Sequence, residues 1–218
     1  MGVGMVALGP IGGVPRRSRE EEAGAVHHVF ARHNEQRLLF RDDVDRTRYL
    51  KLLAGVVGRF EWRCLAYCLM PNHMHLLVET PHPNLGAGMQ YVHGHYGRWF
   101  ADRRGQPGHV FQGRYGAKRV RDDRQLWAAA AYIAANPVEA RLCAEPAAWR
   151  WGSHAATVGR TAAPGWLDVG RLLELLGAGG PDARRRYAAY VAERPRAGAA
   201  IGPSRSPRAG PRRLQARA

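Results

Sequence analysis

The chain has 218 residues, with 33 Lys and Arg against 18 Asp and Glu, a formal net charge of +15 and a sequence pI near 10.9. Hydrophobic residues make up 45%, which excludes a wholly disordered chain and allows one folded core. The excess of arginine favours a polyanionic partner, because each phosphate contact releases condensed counterions. Cys64, Cys68 and Cys143 are too few and too odd in number for a disulfide framework, so a reducing cytoplasm is expected. The stretch from Met1 to Val14 is apolar, but no basic residue precedes it and it is too short to span a membrane. No later run is long and apolar enough either, so a soluble chain with no membrane partner is expected.

Residues 1–24 end in Arg16-Arg17-Ser18-Arg19 and Glu20-Glu21-Glu22 and read as a poorly ordered lead-in. AVHHVFAR (25–32) is β-branched and aromatic enough for a strand. Asp42 or Asp43 can cap a helix whose apolar stripe runs Tyr49, Leu53, Val56 and Phe60. EWRCLAYCLM (61–70) and NHMHLLVET (72–80) form two strands joined at Pro71, an antiparallel pair. Asn84 starts a second helix with Leu85, Met89, Val92, Tyr96 and Trp99 on one face, weakened by Gly86, Gly88, Gly94 and Gly97.

ADRRGQPGH (101–109) reads as loop and VFQGRYGAKRV (110–120) as a fourth strand. Asp122 or Asp123 then caps a third helix, Arg124 to Ala135, closed by Pro137. The order strand, helix, strand, strand, helix, strand predicts a ferredoxin-like βαββαβ antiparallel sheet, an α+β fold with one added helix. The main domain is expected over residues 25–160. Short helices at 167–177 and 182–193 make an extension (161–193). A disordered basic tail (194–218) follows, free of acids and beginning at Arg194.

His73 and His75 lie two apart on a strand, so both imidazoles face one side and can share a metal ion, while Met74 and Leu76 face the core. A bare pair of this kind reads equally as two structural histidines. His93 and His95 have the same spacing on a helix, where they project about 200° apart and cannot easily share an ion. Cys64 and Cys68, four residues apart on a strand, stand roughly 13 Å apart and read better as buried hydrophobes than as zinc ligands. Tyr132 and Asn136 are related by i, i+4 on the third helix and share a face. Two imidazoles and one amide oxygen would make a mixed, fairly hard site suited to Mg²⁺ or Mn²⁺. Taken alone, Asn136 is equally a helix-ending residue and Tyr132 a packing ring.

CLMPNHMHLLVET (68–80) resembles the His-hydrophobic-His block of the IS200-like single-tyrosine (HUH, Y1) transposases, including the REP-associated tyrosine transposases. GHVFQGRYGAKRV (108–120), AYIAANPVEARL (131–142), the stretch 25–53 and WRWGSH (149–154) resemble the same family in the same order. The resemblance implies that His73 and His75 bind a divalent metal, that Asn136 completes its shell, and that Tyr132, carried on the added helix, is the nucleophile. Of the other tyrosines, Tyr96 and Tyr115 read as core residues.

The implied reaction cleaves and rejoins single-stranded, hairpin-forming DNA through a phosphotyrosine. The bond energy is kept in that link, in agreement with the lack of an ATP-binding phosphate loop. Arg103, Arg104, Arg114, Lys118, Arg119, Arg121 and Arg124, with Arg98, are the expected DNA contacts, and Trp99, Phe100 and Tyr115 candidate base-stacking residues. A homodimer exchanging Tyr132 between subunits is compatible with such a site. Two rival readings stand beside it. One is a catalytically silent hairpin-binding protein on the same scaffold. The other is a structural zinc protein using Cys64 or Cys68 with the histidines.

Overall fold

Alternation along the strands decides where each side chain goes. A computed structural model describes residues 21–34, 37–105, 108–177 and 182–194. Its first six elements are β1 (Ala25–Arg32), α1 (Asp43–Arg59), β2 (Arg63–Leu69), β3 (His73–Thr80), α2 (Leu85–Arg104) and β4 (Gly116–Val120). The strands form one antiparallel sheet in the order β2-β3-β1-β4, the ferredoxin-like arrangement the element order predicts. After it come α3 (Asp123–Glu139), a 3₁₀ turn (Pro146–Ala148), α4 (His154–Thr157), α5 (Val169–Leu175) and α6 (Ala183–Glu193). Among the described residues no helix is long and apolar enough to cross a membrane.

The register pairs Val29 with Leu76 and Ala31 with Met74 on one face of the sheet. On the other it pairs Arg32 with His73, Phe30 with His75 and His28 with Leu77. All four of Val29, Ala31, Met74 and Leu76 are buried, on the side where α1 and α2 pack together. α3 covers the second face, with contacts to β2, β3 and β4. The sheet is therefore covered on both sides, which explains why β3 is apolar almost throughout. The outer edge of β2 is closed by the segment after α3. Leu69 N–H donates to the Trp151 carbonyl at 2.9 Å, and Ser153 N–H to that of Tyr67 at 2.9 Å. Asp168 N–H donates to the Cys64 carbonyl at 2.8 Å, so the edge is not left open for stray pairing.

The helix starts follow their capping residues. Asp42 accepts a hydrogen bond from Asp45 N–H at 3.0 Å, and Asp122 from Gln125 N–H at 2.7 Å. Three element limits differ from the sequence expectation. α2 continues through Arg104 and does not give way to loop at Ala101, because its stop is Gly105, which takes the left-handed conformation (φ 59°). β4 begins only at Gly116. Phe111 makes an isolated bridge to His33, and Gly113 at φ 87° then turns the chain out of the ladder. α3 does not end before Pro137 but runs through it to Glu139. The ring removes one N–H near the helix end, and Ala140 N–H still closes on the Asn136 carbonyl at 3.0 Å.

The expected lead-in (1–24) and basic tail (194–218) lie outside the described residues except for residues 21–24 and Arg194. Glu21 accepts a hydrogen bond from Gly86 N–H at the start of α2, at 2.6 Å. α5 and α6 of the 161–193 stretch pack on β2 and α3.

Candidate active site

β3 turns His73 and His75 to the α3 side, with ring centroids 4.9 Å apart and planes at 84°. α3 brings Tyr132 and Asn136 to them, one helical turn apart. The Tyr132 ring lies edge-on to His75 at 5.2 Å between centroids, and Asn136 Oδ1 stands 3.2 Å from His73 Nε2. The four residues proposed from the sequence therefore meet in one place.

The proton positions in this cluster are constrained. His73 Nδ1 lies 2.6 Å from Asn72 Oδ1, while its Nε2 faces Asn136 Oδ1. A neutral imidazole has one N–H and cannot donate to both oxygens. One contact then sets two lone pairs against each other, unless an amide turns over or a cation lies between them. Burial, helped by the Arg32 charge, pushes His73 down to about 4, so the neutral ring is the relevant form at pH 7, although the Asn136 contact opposes the shift. Burial also holds His75 well below its ordinary value, with the neighbouring His73, His28 and Arg32 adding to the effect.

His75 Nε2 is buried and has no hydrogen-bond partner. An unpartnered ring nitrogen there fits a metal ligand better than a satisfied core histidine. Among the described residues no three His, Cys, Asp or Glu side chains are grouped to hold an ion. Asn136, buried beside His73, brings an amide oxygen to the pair. The donor set fits a divalent cation.

The sequence reading did not single out two neighbours. His28 on β1 places Nε2 3.0 Å from His75 Nδ1 and its ring 5.8 Å from Tyr132. Its place on the same strand face as Phe30 was readable from period-two alternation. Arg194, assigned from the sequence to the basic tail, lies with its guanidinium 5.1 Å above the Tyr132 ring and ion-paired to Glu139 at 3.0 Å. No sequence signal marks it, since the contact depends on how α6 folds back along α3.

The expected DNA contacts separate into groups. Lys118 is opposite His28 in the β1–β4 register and so stands on the Tyr132 side of the sheet, exposed. Arg114, Arg121 and Arg124 are exposed on the loop before β4 and at the start of α3. Arg119 pairs with Glu22. Arg103 and Arg104 reach both Asp42 and Asp45 at 2.5–3.0 Å, tying the end of α2 to the start of α1, on the helix layer away from Tyr132. Of the proposed stacking residues, Phe100 and Tyr115 are buried, so their faces are not open to bases. Trp99 is half-buried, with the guanidiniums of Arg48 and Arg103 near its ring.

His93 and His95 diverge as their helical spacing requires. His93 stacks on Phe111 at 3.9 Å, and exposed His95 bonds to the Tyr91 carbonyl at 2.8 Å. Tyr96 is buried and its hydroxyl donates to the Leu39 carbonyl at 2.6 Å. The cysteines do not serve a zinc site. A bulge between Cys64 and Ala66 sends Cys64 to the Val78 side and Cys68 to the His75 side. Their thiols face the Ala66 carbonyl and the Met70 sulfur, and burial pushes both pKa values up, away from the thiolate that zinc needs.

Comparison with known proteins bears on the fold and the family. A structure of a REP-associated tyrosine transposase bound to a REP hairpin superposes with a TM-score of 0.58 at 16% identity, over 69% of this chain and 89% of that one. A protein of Deinococcus radiodurans R1 assigned as a transposase is more remote, with a TM-score of 0.39 at 15% identity over 50% and 89% of the two chains. No curated protein matches the chain in sequence. The model of the family described as "Transposase IS200 like" matches residues 22–136, from three residues before β1 to Asn136. That match spans more than half of the sequence, and the chain belongs to the IS200-like transposase family.

Proposed function

We propose that this protein is a metal-dependent single-tyrosine transposase or nuclease that cleaves and rejoins single-stranded, hairpin-forming DNA. The observation that carries this reading is the meeting of Tyr132, His73, His75 and Asn136, contributed by β3 and α3, on one face of the sheet. The hairpin in the structurally similar transposase supports the choice of substrate.

Tyr132 is half-exposed at the edge of the cluster, where a phosphodiester can approach. Its hydroxyl oxygen would attack phosphorus, forming the O–P bond of a phosphotyrosine as the bond to the leaving 3′ oxygen breaks. The phenol proton is lost to solvent and the departing oxygen takes one up, so charge balances. His73, His75 and Asn136 would hold Mg²⁺ or Mn²⁺, which when bound offsets phosphate charge and assists the leaving oxygen. His73 and His75 stay neutral through burial and keep their lone pairs available. Exposed Lys118 adds positive charge on the Tyr132 side of the sheet, exposed Arg121 and Arg124 add more at the start of the helix that carries Tyr132, and Arg194 places another cation over the nucleophile's ring. Tyr132 meets the histidines of its own chain, so a site assembled within one subunit needs no rearrangement of the helix that carries it.

End-labelled single-stranded DNA containing the hairpins that flank the gene is the test substrate. Cleavage with Mn²⁺ or Mg²⁺, lost with chelator and in His73→Ala and His75→Ala, is the expected result. Tight hairpin binding without cleavage under any of these metals would replace the enzyme by the silent binder.

A further inference from the structure

We propose that His28 is a positioning residue that fixes the tautomer and direction of His75, so that the His75 Nε2 lone pair points into the site. The proposal rests on the metal reading above. Its first support is the 3.0 Å contact between His28 Nε2 and His75 Nδ1, a pairing that needs exactly one proton between the two nitrogens. The second is the state of the other His75 nitrogen. Nε2 is buried without a partner, and a proton there would be an N–H with nothing to donate to.

The proton therefore belongs on His75 Nδ1, from which it is donated to His28 Nε2. Nε2 of His75 is left as a free acceptor, the form a cation requires. His28 must in turn carry its own proton on Nδ1. β1 holds the arrangement in place, because the β1–β3 ladder sets His28 opposite Leu77, diagonal to His75 on the same face. The His28 ring also packs near Tyr132 and Phe30, so the same side chain limits how His75 and the nucleophile's ring can shift. His28 touches neither the proposed ion nor the phosphate and acts only through His75.

The experiment titrates the full-length protein with Mn²⁺ alone, following free Mn²⁺ by its electron paramagnetic resonance signal. His28→Leu keeps the volume and removes the acceptor; His28→Gln keeps an acceptor oxygen. The expected result is a roughly 10- to 100-fold weaker Mn²⁺ affinity for His28→Leu, with most of the loss restored in His28→Gln. Undiminished affinity in His28→Leu, alongside loss in His73→Ala, would overturn the role of His28 and leave the metal site standing. Wild-type binding that is insensitive to His73→Ala and His75→Ala would overturn the metal reading, and this inference with it. Should His28→Leu fail to fold, long-range ¹H–¹⁵N spectra of the wild-type imidazoles decide the matter. A proton on His75 Nδ1 supports the proposal and one on Nε2 refutes it.

Discussion

His73 and Asn136, 63 residues apart in the chain, bring an imidazole nitrogen and an amide oxygen to 3.2 Å. One of these groups comes from the start of an inner strand and the other from the last turns of a helix laid across the sheet. With the single His73 proton on Nδ1 toward Asn72, this contact sets two acceptors against each other, an arrangement unfavourable by itself that a cation between them makes favourable. Replacing Asn136 by Asp adds negative charge at the same place. Mn²⁺ should then bind more tightly than to wild type, and Asn136→Ala should weaken it about tenfold or more. Equal affinities for all three proteins, measured by calorimetry, would remove Asn136 from the ligand set.

Gly116 sits opposite Phe30 in the β1–β4 register, and a Cβ there would lie 2.2 Å from the Phe30 ring. Phe30 in turn borders His28 and His75. Gly116→Ala should therefore displace Phe30 and cost about 1–3 kcal/mol of stability, with a loss of DNA cleavage larger than the fraction unfolded explains. Denaturant melts paired with cleavage assays check both parts. A variant with unchanged stability and activity would show that the ring has room to move.

The basic residues expected to touch DNA should divide by function. Asp45 is fully buried in its pairs with Arg103 and Arg104. Asp45→Ala should destabilise the fold by on the order of 3 kcal/mol, since it leaves those charges underpaired. Arg103→Ala should act chiefly on stability. Lys118→Ala and Arg124→Ala should instead weaken hairpin binding uniformly across sequences and lower its salt dependence, with little change in melting temperature. The reverse pattern in filter-binding and melting experiments would place the DNA on the α1–α2 layer.

Much of this architecture was legible in the sequence because its signals are local. Asp42 and Asp122 precede their helices as caps, and strand alternation alone assigns His73 and His75 to one face and Met74 and Leu76 to the other. The stop of α2 was also written there, as Arg103-Arg104-Gly105, but the glycines earlier in the helix obscured it. Gly88 is one of these, and it is required by Trp62, whose ring would lie 2.2 Å from an added Cβ. What was not legible is tertiary. The bulge that separates Cys64 from Cys68, the short β4 and the salt-bridge cluster holding Arg103 and Arg104 all depend on partners remote in sequence. His28 became informative only once β1 lay beside β3.

Buried histidines set a pH dependence. Burial, helped by the Lys118 charge, pushes His28 down to about 4, and burial, helped by the Arg160 charge, does the same to His154, from an ordinary 6.5. Their folded-state values are depressed, so the unfolded chain takes up these protons first. The stability they contribute is complete above about pH 6.5 and is lost as the pH falls towards 4. The melting temperature should drop by several degrees between pH 7.5 and pH 5, at roughly 2–4 °C per kcal/mol. His154→Gln should flatten the slope. A melting temperature that is level across this range would mean that these rings are not held neutral by the fold.

The central claim is that Tyr132 is the nucleophile, and the most direct measurement is capture of its covalent product. Wild-type protein and Tyr132→Phe are incubated with labelled hairpin DNA and Mn²⁺ and run on denaturing gels. A protein–DNA adduct from the wild type alone, with the phosphate mapped to Tyr132 by mass spectrometry, is the predicted result. An adduct of equal yield from Tyr132→Phe would contradict it and move the nucleophile to another residue.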